Sequence, residues 1–304
     1  MVGMSKIRVA VVGYGNIGKF AVEAVMAAED LELAGIVRRE ASVPVELKGY
    51  DIAVVDDVDK LGKVDVAILA TPSRKVEETA KKYLAKGICT VDSFDIHAGI
   101  YDLKCSLTEA AKKTGAASIN AAGWDPGSDS VVRALLEAIA PKGLTYTNFG
   151  PGMSMGHSVA ARAIDGVENA LSITIPLGTG IHRRMVYVKP KAGADFDKIA
   201  ADLKADPYFS HDETHVIKAD DIDALQDMGH GVNMVRKGVS GVTQNQLFEF
   251  NMTINNPALT AQVLASCARA AVRQKTRPGA YTMIEVPVID MLPGEGEKWI
   301  RKLV

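Results

Sequence analysis

The sequence predicts an α/β protein: a doubly wound parallel sheet at the N-terminus, then a second α+β domain on longer, more antiparallel strands. Three observations lead there. Short apolar runs alternate with amphipathic helical stretches along the first part of the chain, a glycine-rich turn joins the first run to the first helix, and this rhythm changes after Trp124-Asp125-Pro126-Gly127.

Ile7 to Val12 is apolar except for Arg8 and passes through glycine into an apolar-periodic segment, Ile17 to Ala28, the pattern of strand, turn and helix. Leu31 to Val37 reads as the second strand, and Ile52 to Val55, Val64 to Ala70, Ile88 to Val91 and Ala117 to Asn120 as further short ones. Between them Ser73 to Lys86 and Ile100 to Thr114 are helical, each with one polar face. Strands and helices alternating at this spacing call for a parallel sheet with crossover helices. A helix from Ser128 to Ile139 opens the second part, where Leu171 to Pro176, Arg183 to Lys189, Ile217 and Val239 to Ile254 read as strands of a more antiparallel sheet. Leu259 to Gln274, between Pro257 and Pro278-Gly279, has the alanine content and spacing of a helix that returns to the first domain. The chain carries no internal repeat.

Composition narrows the function. The 35 basic and 37 acidic residues leave a formal net charge of -2 without a basic block, which argues against a nucleic-acid partner. Cys89, Cys105 and Cys267 form neither a CxxC pair nor an even set, so neither a disulfide framework nor structural zinc is expected. Met1 to Arg8 runs into the first strand without a secretory h-region, and no apolar run approaches the roughly 20 residues of a membrane span. The expected location is the cytoplasm, with no membrane partner. His157, His182 and His230 lack a metal-binding spacing such as HExxH, so no catalytic metal is expected.

Gly13-Tyr14-Gly15-Asn16-Ile17-Gly18 spells G-x-G-x-x-G where strand gives way to helix, which makes the sheet Rossmann-type. The first glycine makes the tight turn, the second lets a pyrophosphate approach the backbone, and the third allows close helix-to-strand packing. At the end of the second strand, where an NAD-binding fold offers an acid to the ribose, stand Arg38 and Arg39. A guanidinium pairs with the extra phosphate of NADP, whereas a carboxylate repels it, so NADP is the expected cofactor. Glu40 beside them leaves a ribose contact open. Thr71-Pro72-Ser73 follows another strand and forms a second cofactor loop. The expected organisation is a dinucleotide-binding domain over residues 1–122 with a C-terminal return at about 257–304, and a substrate-binding and dimerisation domain over 123–256.

Asp95 and Asp125 lie where strands of the first domain end, in reach of an ammonium or a proton in transit, and Trp124 supplies an apolar wall. Each also has a plainer reading, the acids as turn or cap residues and the tryptophan as core. The passage Phe149-Gly150-Pro151-Gly152-Met153-Ser154-Met155-Gly156-His157-Ser158 forgoes side-chain packing, and its exposed amides are candidates to bind a carboxylate.

With these segments in view, the sequence resembles the meso-diaminopimelate dehydrogenases in order along nearly its whole length. The matching stretches are the glycine-rich turn from Val11 to Gly18, Thr90 to Asp95, Gly123 to Gly127, Gly150 to Ser158, and Gly279-Ala280-Tyr281-Thr282. The resemblance implies NADP-dependent oxidative deamination at the D-centre of meso-2,6-diaminopimelate, giving L-2-amino-6-oxopimelate and ammonia, with the reverse amination in lysine biosynthesis, by a homodimer. It puts Asp95, Trp124, Asp125, Met155 and Gly156 at the reacting centre, and Thr174, Arg184, His230 and Asn256 at the distal end, with Arg184 setting specificity and Arg183 facing solvent. Which acid takes the proton stays open. Three departures concern the pocket: Met155 stands where many members have glutamine, Phe149 replaces a tryptophan, and the segment from Pro176 to His182 is shorter. These features resemble a related branch of the family, which implies acceptance of other D-amino acids or 2-oxo acids. Two further readings suit the Rossmann half alone: another two-domain NADP oxidoreductase acting on a sugar or aldehyde, and a non-catalytic NADP-binding sensor. The sugar enzymes generally carry lysine-proline after the fifth strand, where this chain has Ser93-Phe94-Asp95.

Overall fold

A computed structural model describes residues 6–226 and 229–304, so Met1 to Ser5 of the expected N-terminal lead lie outside the described residues. The chain forms two compact units, one of residues 1–134 and 257–304 and one of residues 135–256.

The first unit opens with strand β1 (Ile7–Val12), helix α1 (Asn16–Met26), and strands β2 (Leu31–Val37), β3 (Val54–Val55) and β4 (Val66–Leu69). It continues with α2 (Ser73–Leu84), β5 (Cys89–Asp92), α3 (Ile100–Lys112), β6 (Ala117–Asn120) and α4 (Ser128–Ile139), the last running on into the second unit. The helices bury one stripe each: Gly18, Ala21, Val22 and Val25 of α1, Val76, Ala80, Tyr83 and Leu84 of α2, and Leu103, Leu107 and Ala111 of α3. These positions recur at three and four residues, the period of one helix face. β4 is buried along its whole length, as a strand covered on both faces must be.

In the second unit β7 (Lys142–Phe149), β8 (Gly152–Met153), α5 (Met155–Arg162), β9 (Val167–Gly178), β10 (Ile181–Pro190), α6 (Phe196–Ala205), β11 (Glu213–Lys218), β12 (Gly229–Ser240) and β13 (Thr243–Asn255) follow in order. They build two sheets, β11-β10-β9-β8 and β13-β12-β7, antiparallel except for the β10–β11 pair. Sequence periodicity misplaces part of this unit. The run from Val239 to Ile254 is not one strand: Gly241 at φ +61° reverses the chain, and β12 and β13 form a hairpin. β7 escapes notice because five of its eight residues, Lys142, Gly143, Thr145, Thr147 and Asn148, are polar or glycine. Arg236, buried in β12, donates to the Ala140 carbonyl at 3.1 Å and to Thr145 Oγ1 at 3.0 Å and pairs with Glu137, so a cation closes the C-terminal end of α4.

The chain ends in α7 (Asn256–Arg273), β14 (Gly279–Thr282), α8 (Val288–Met291) and α9 (Gly296–Leu303). α7 starts three residues earlier than expected and holds Pro257 inside its first turn, where a missing N–H leaves no helical bond unmade. Its alanines, among them Ala261, Ala265, Ala268 and Ala271, lie in the core of the first unit, and β14 pairs with β6. The completed sheet runs β14-β6-β5-β4-β1-β2-β3, all parallel. Its order reverses beside β1, which opens a crevice at the carboxyl ends of β1 and β4. Among the described residues no helix is long and apolar enough to cross a membrane.

The return is fastened by Arg269 of α7, whose Nε and a terminal nitrogen each donate to a carboxylate oxygen of Asp30 at 2.7 Å. Arg269 is buried, and its hydrogen bonds hold the Asp30 carboxyl below its usual range. A lowered carboxyl pKa stabilises the fold above the unfolded-state pKa, and this stabilisation is lost as pH falls through the folded-state pKa. Asp30→Asn is therefore expected to lower stability by about 3 kcal/mol at neutral pH, the scale for breaking a largely buried pair. Urea unfolding of both proteins should show the gap narrowing as pH falls below the ordinary aspartate pKa of about 3.9.

Candidate active site

At the end of β1 the three glycines of the turn have different surroundings. A Cβ on Gly13, at φ +96°, would stand 2.4 Å from the Ala70 carbonyl oxygen, and one on Gly18 would stand 2.4 Å from the Gly13 carbonyl oxygen. One on Gly15 meets no atom of the described residues within 4 Å. The outer glycines let β1, β4 and α1 approach each other, and the middle one leaves space. Among the described residues no side chain caps α1, and no acid stands in its first turn. Its amides are therefore available to an anion.

This turn forms one wall of a cleft of about 790 Å³ whose lining includes the cations Arg38, Arg39 and Lys82, the acids Glu40, Asp56 and Glu78, and Thr71, Pro72, Thr79 and Tyr83. The first unit thus brings Gly13, Tyr14, Gly15, Arg38, Arg39, Thr71 and Pro72 to one place. Asn16, Ile17 and Gly18 form the first turn of α1 behind it. Among the described residues the buried Thr71 hydroxyl has no hydrogen-bonding partner. An open backbone face, a helix N-terminus, an unpartnered hydroxyl and three cations fit a phosphate-rich dinucleotide. Thr79, Lys82 and Tyr83 escaped the sequence reading. They stand on one face of α2, and the pairing of Lys82 with Asp57 at 3.4 Å reads as an ordinary surface contact.

Ser73, the third residue of the loop Thr71-Pro72-Ser73, is not among those lining the cleft. Its hydroxyl donates to Asp95 Oδ1 at 2.6 Å and accepts from the Asp95 amide at 3.3 Å, so the segment after β5 is tied to the start of α2. Behind it Asp92 is fully buried and accepts from Asn120 Nδ2 at 2.7 Å, from the Phe94 amide at 3.0 Å and from the Ala121 amide at 3.3 Å. Burial pushes the Asp92 carboxyl up to about 6, against the pull of those donors. The strand read from the sequence stops at Val91, one residue short of Asp92; the structure ends β5 on Asp92 and makes it the clamp on two loop exits.

The loop Gly123 to Gly127 closes on itself. The Gly123 amide donates to the Pro126 carbonyl at 3.1 Å, the Ser128 amide to the Gly123 carbonyl at 3.0 Å, and the Asp129 amide to the Trp124 carbonyl at 3.1 Å. A Cβ on Gly127, at φ +147°, would lie 2.0 Å from the Gly123 oxygen, so only glycine closes this turn. Trp124 is buried, while the Asp125 side chain keeps 15% of its surface. Arg133 of α4 donates from one terminal nitrogen to Asp125 Oδ1 at 2.6 Å and to Asp129 Oδ1 at 3.1 Å. Asp129 and Arg133 lie one turn apart on α4, and the loop that precedes the helix brings Asp125 to the same guanidinium, a meeting that sequence spacing alone does not mark.

In the second unit Arg184 of β10 lies opposite Thr174 of β9. It donates through Nε to Asp212 Oδ2 at 2.6 Å and through a terminal nitrogen to the buried Thr174 hydroxyl. Its side chain is 11% exposed; that of Arg183 is 39% exposed and forms a bidentate pair with Glu213 at 2.9 and 3.0 Å. His230 is buried in β12. Met155 and Gly156 form the first turn of α5, and Asn256 opens α7. His157 packs edge-on against Tyr208 and Phe209, and its Nδ1 lies 2.8 Å from Ser154 Oγ. Burial, then the charge of Arg184, pushes it down to about 4, so it is a neutral polar group at physiological pH. Asp212 gives no sequence signal, because it meets Arg184 only once β10 and β11 pair.

The glycine passage calls for a correction. Part of the passage is already engaged: the Gly150 amide donates to the Gly231 carbonyl at 2.7 Å, the Ser154 amide to the Ser172 carbonyl at 2.9 Å, and Gly152 pairs with Thr174 as part of β8, whereas Met155, Gly156 and His157 form the first turn of α5, which no side chain caps among the described residues. A Cβ would stand 2.4 Å from the Thr174 oxygen at Gly150 and 2.2 Å from the Gly229 oxygen at Gly152. Close backbone packing explains both glycines.

Comparison with known proteins now adds to this geometry. Residues 7–91 match the oxidoreductase family with an NAD-binding Rossmann fold, and residues 123–181 match the diaminopimelic acid dehydrogenase C-terminal domain. The chain is 65% identical over 303 residues to a meso-diaminopimelate D-dehydrogenase of Bacteroides fragilis, spanning 99% of this chain and all of that one. Its fold matches the Corynebacterium glutamicum DAP dehydrogenase solved in complex with DAP, with a TM-score of 0.90 and 31% identity over 99% of this chain and all of that one. It also matches an engineered D-amino acid dehydrogenase bound to NADP+, with a TM-score of 0.84 and 30% identity over 99% of this chain and all of that one. The fold is that of an oxidoreductase binding a pyridine nucleotide, and the chain belongs to the meso-diaminopimelate D-dehydrogenase family.

Proposed function

We propose that this protein catalyses the reversible NADP-dependent oxidative deamination of meso-2,6-diaminopimelate at its D-centre, giving L-2-amino-6-oxopimelate and ammonia in lysine biosynthesis, as a cytoplasmic homodimer. The first unit serves as the dinucleotide-binding domain and the second as the substrate-binding and dimerisation domain. One observation carries the reading: a chain 65% identical from end to end to a named meso-diaminopimelate D-dehydrogenase has Asp125, part-exposed in an otherwise buried loop, clamped by Arg133, and Arg184 held on one side by Asp212. Arg38 and Arg39 favour NADP over NAD, since two guanidinium groups at the ribose end of the cleft complement a phosphate there. The NADP+ in the engineered relative accords with this.

Bound NADP supplies the hydride acceptor. The protein's part is to orient the substrate, exclude water and handle protons. Asp125 and Asp95 receive the ammonium, and one of them takes the proton it releases as the D-carbon loses hydride and an imine forms. Trp124 positions the carbon skeleton, and water added to the imine carbon completes the release of ammonia. Arg184 keeps Nε on Asp212 and turns its terminal nitrogens toward Thr174 and the distal carboxylate. His157, being neutral, adds a hydrogen-bonding group without a second charge there.

The deciding assay follows NADP reduction with meso-diaminopimelate beside its LL isomer, D-alanine and D-lysine, repeated with NAD. Turnover confined to the meso isomer is expected; turnover on several D-amino acids would instead favour the broader specificity that Met155 permits, and none would remove the proposal. Gly15→Val should leave the melting temperature within a few degrees, because its side chain enters open space, yet weaken NADP binding tenfold or more by titration. Replacing Arg38 and Arg39 with aspartate should cost about tenfold or more in the NADP-over-NAD ratio of kcat/KM. Asp125→Asn should lower kcat by about 10²–10⁴, the usual worth of a positioned acid or base, with NADP affinity nearly intact.

A further inference from the structure

Asp129 has no part in the chemistry described above. It is 0% exposed, and among the described residues its Oδ2 has no hydrogen-bonding partner. The charged groups acting on it are Asp125, from the loop before α4, and Arg133, one turn further along α4. Besides these, the Ser130 backbone amide is a hydrogen-bond donor to its carboxyl group, the Ser130 hydroxyl lies at 3.5 Å, and its own amide is bonded to the Trp124 carbonyl. A single guanidinium nitrogen thus stands between two carboxyl groups, 2.6 Å from one and 3.1 Å from the other.

One cation cannot neutralise two buried anions. A fully enclosed carboxylate with an unsatisfied oxygen has no water to stabilise its charge and is disfavoured next to a second carboxylate. The inexpensive arrangement is a proton on the enclosed partner, which turns the idle oxygen into a donor for its neighbour. The two carboxyl groups are within hydrogen-bonding reach.

We infer that Asp129 is a neutral acid whose O–H donates to the Asp125 carboxylate, making it the positioning residue that, with Arg133, fixes how Asp125 faces the substrate. Burial, reinforced by the charge of Asp125, raises the Asp129 carboxyl, in keeping with this assignment. The inference rests on the proposed role of Asp125 for its functional meaning, but not for its physical content. A proton held by the folded state and released by the unfolded one makes stability fall as pH rises, from the ordinary aspartate pKa of about 3.9 up to the folded-state value.

The test is urea unfolding of the native protein and of Asp129→Asn across that range. The native unfolding constant, divided by that of the variant, should rise by about tenfold per pH unit, the effect of one proton. A ratio that stays flat or falls means that folded Asp129 is ionised, and overturns the inference. If Asp129→Asn does not fold, Asp129→Ser provides the same proton-free reference. For the positioning role, Asp129→Ala should lower kcat at least tenfold with the NADP Kd within twofold, and Asp129→Asn should recover most of that loss, because an amide N–H also donates to Asp125. Equal losses in both variants would overturn it. If the native protein deaminates no amino acid, the functional reading fails, while the unfolding ratio still decides the protonation of Asp129.

Discussion

The carboxyl group of Asp92 is closed off from solvent at the end of β5 and accepts three hydrogen bonds, from the Asn120 side chain and from the backbones of Phe94 and Ala121. Those donors belong to the two segments that leave β5 and β6, one leading to Asp95 and the other to Trp124 and Asp125. Asn120 also donates to Ser118, and Ser118 accepts from Thr90, so a short polar chain joins the two strands inside an apolar sheet. An unmade bond at such depth costs about 1–3 kcal/mol for each group. The loop exits are therefore fixed together, and the groups proposed to meet the substrate stand on a rigid base.

A second theme is that the arginines near the candidate substrate groups are already paired. Arg184 has Asp212 and Thr174, and Arg133 has Asp125 and Asp129. A cation left alone in a part-buried place would hold water or shift its neighbours, whereas one bonded on its inner side keeps a fixed direction for its outer nitrogens. Arg183 shows the contrast on the same strand: its bidentate partner Glu213 is as exposed as itself, and such a pair holds little in place. Neutral His157 fits this arrangement, because a protonated imidazole beside Arg184 would add a second buried positive charge where Asp212 is already paired with Arg184.

The sequence by itself determined the Rossmann half. Its central strands β4, β5 and β6 are buried along their length and read as largely apolar runs, its helices bury one stripe, and the turn needs glycine where a Cβ would strike a carbonyl oxygen at Gly13 and Gly18. These are local requirements, so they leave a local mark, and Arg38 and Arg39 are legible for the same reason: they follow the second strand at a fixed distance. Asp125 and Arg184 were visible as residues, but not their partners. β7 is too polar to show a strand period, and the β12–β13 hairpin turns on one φ angle at Gly241. Only the tertiary structure decided that Asp212 meets Arg184, that Gly150 and Gly152 serve backbone packing rather than an anion, and that Asp129 is sealed behind Asp125. Those facts depend on strand register and on exclusion of water, which arise from groups distant in sequence and have no periodic signature along the chain.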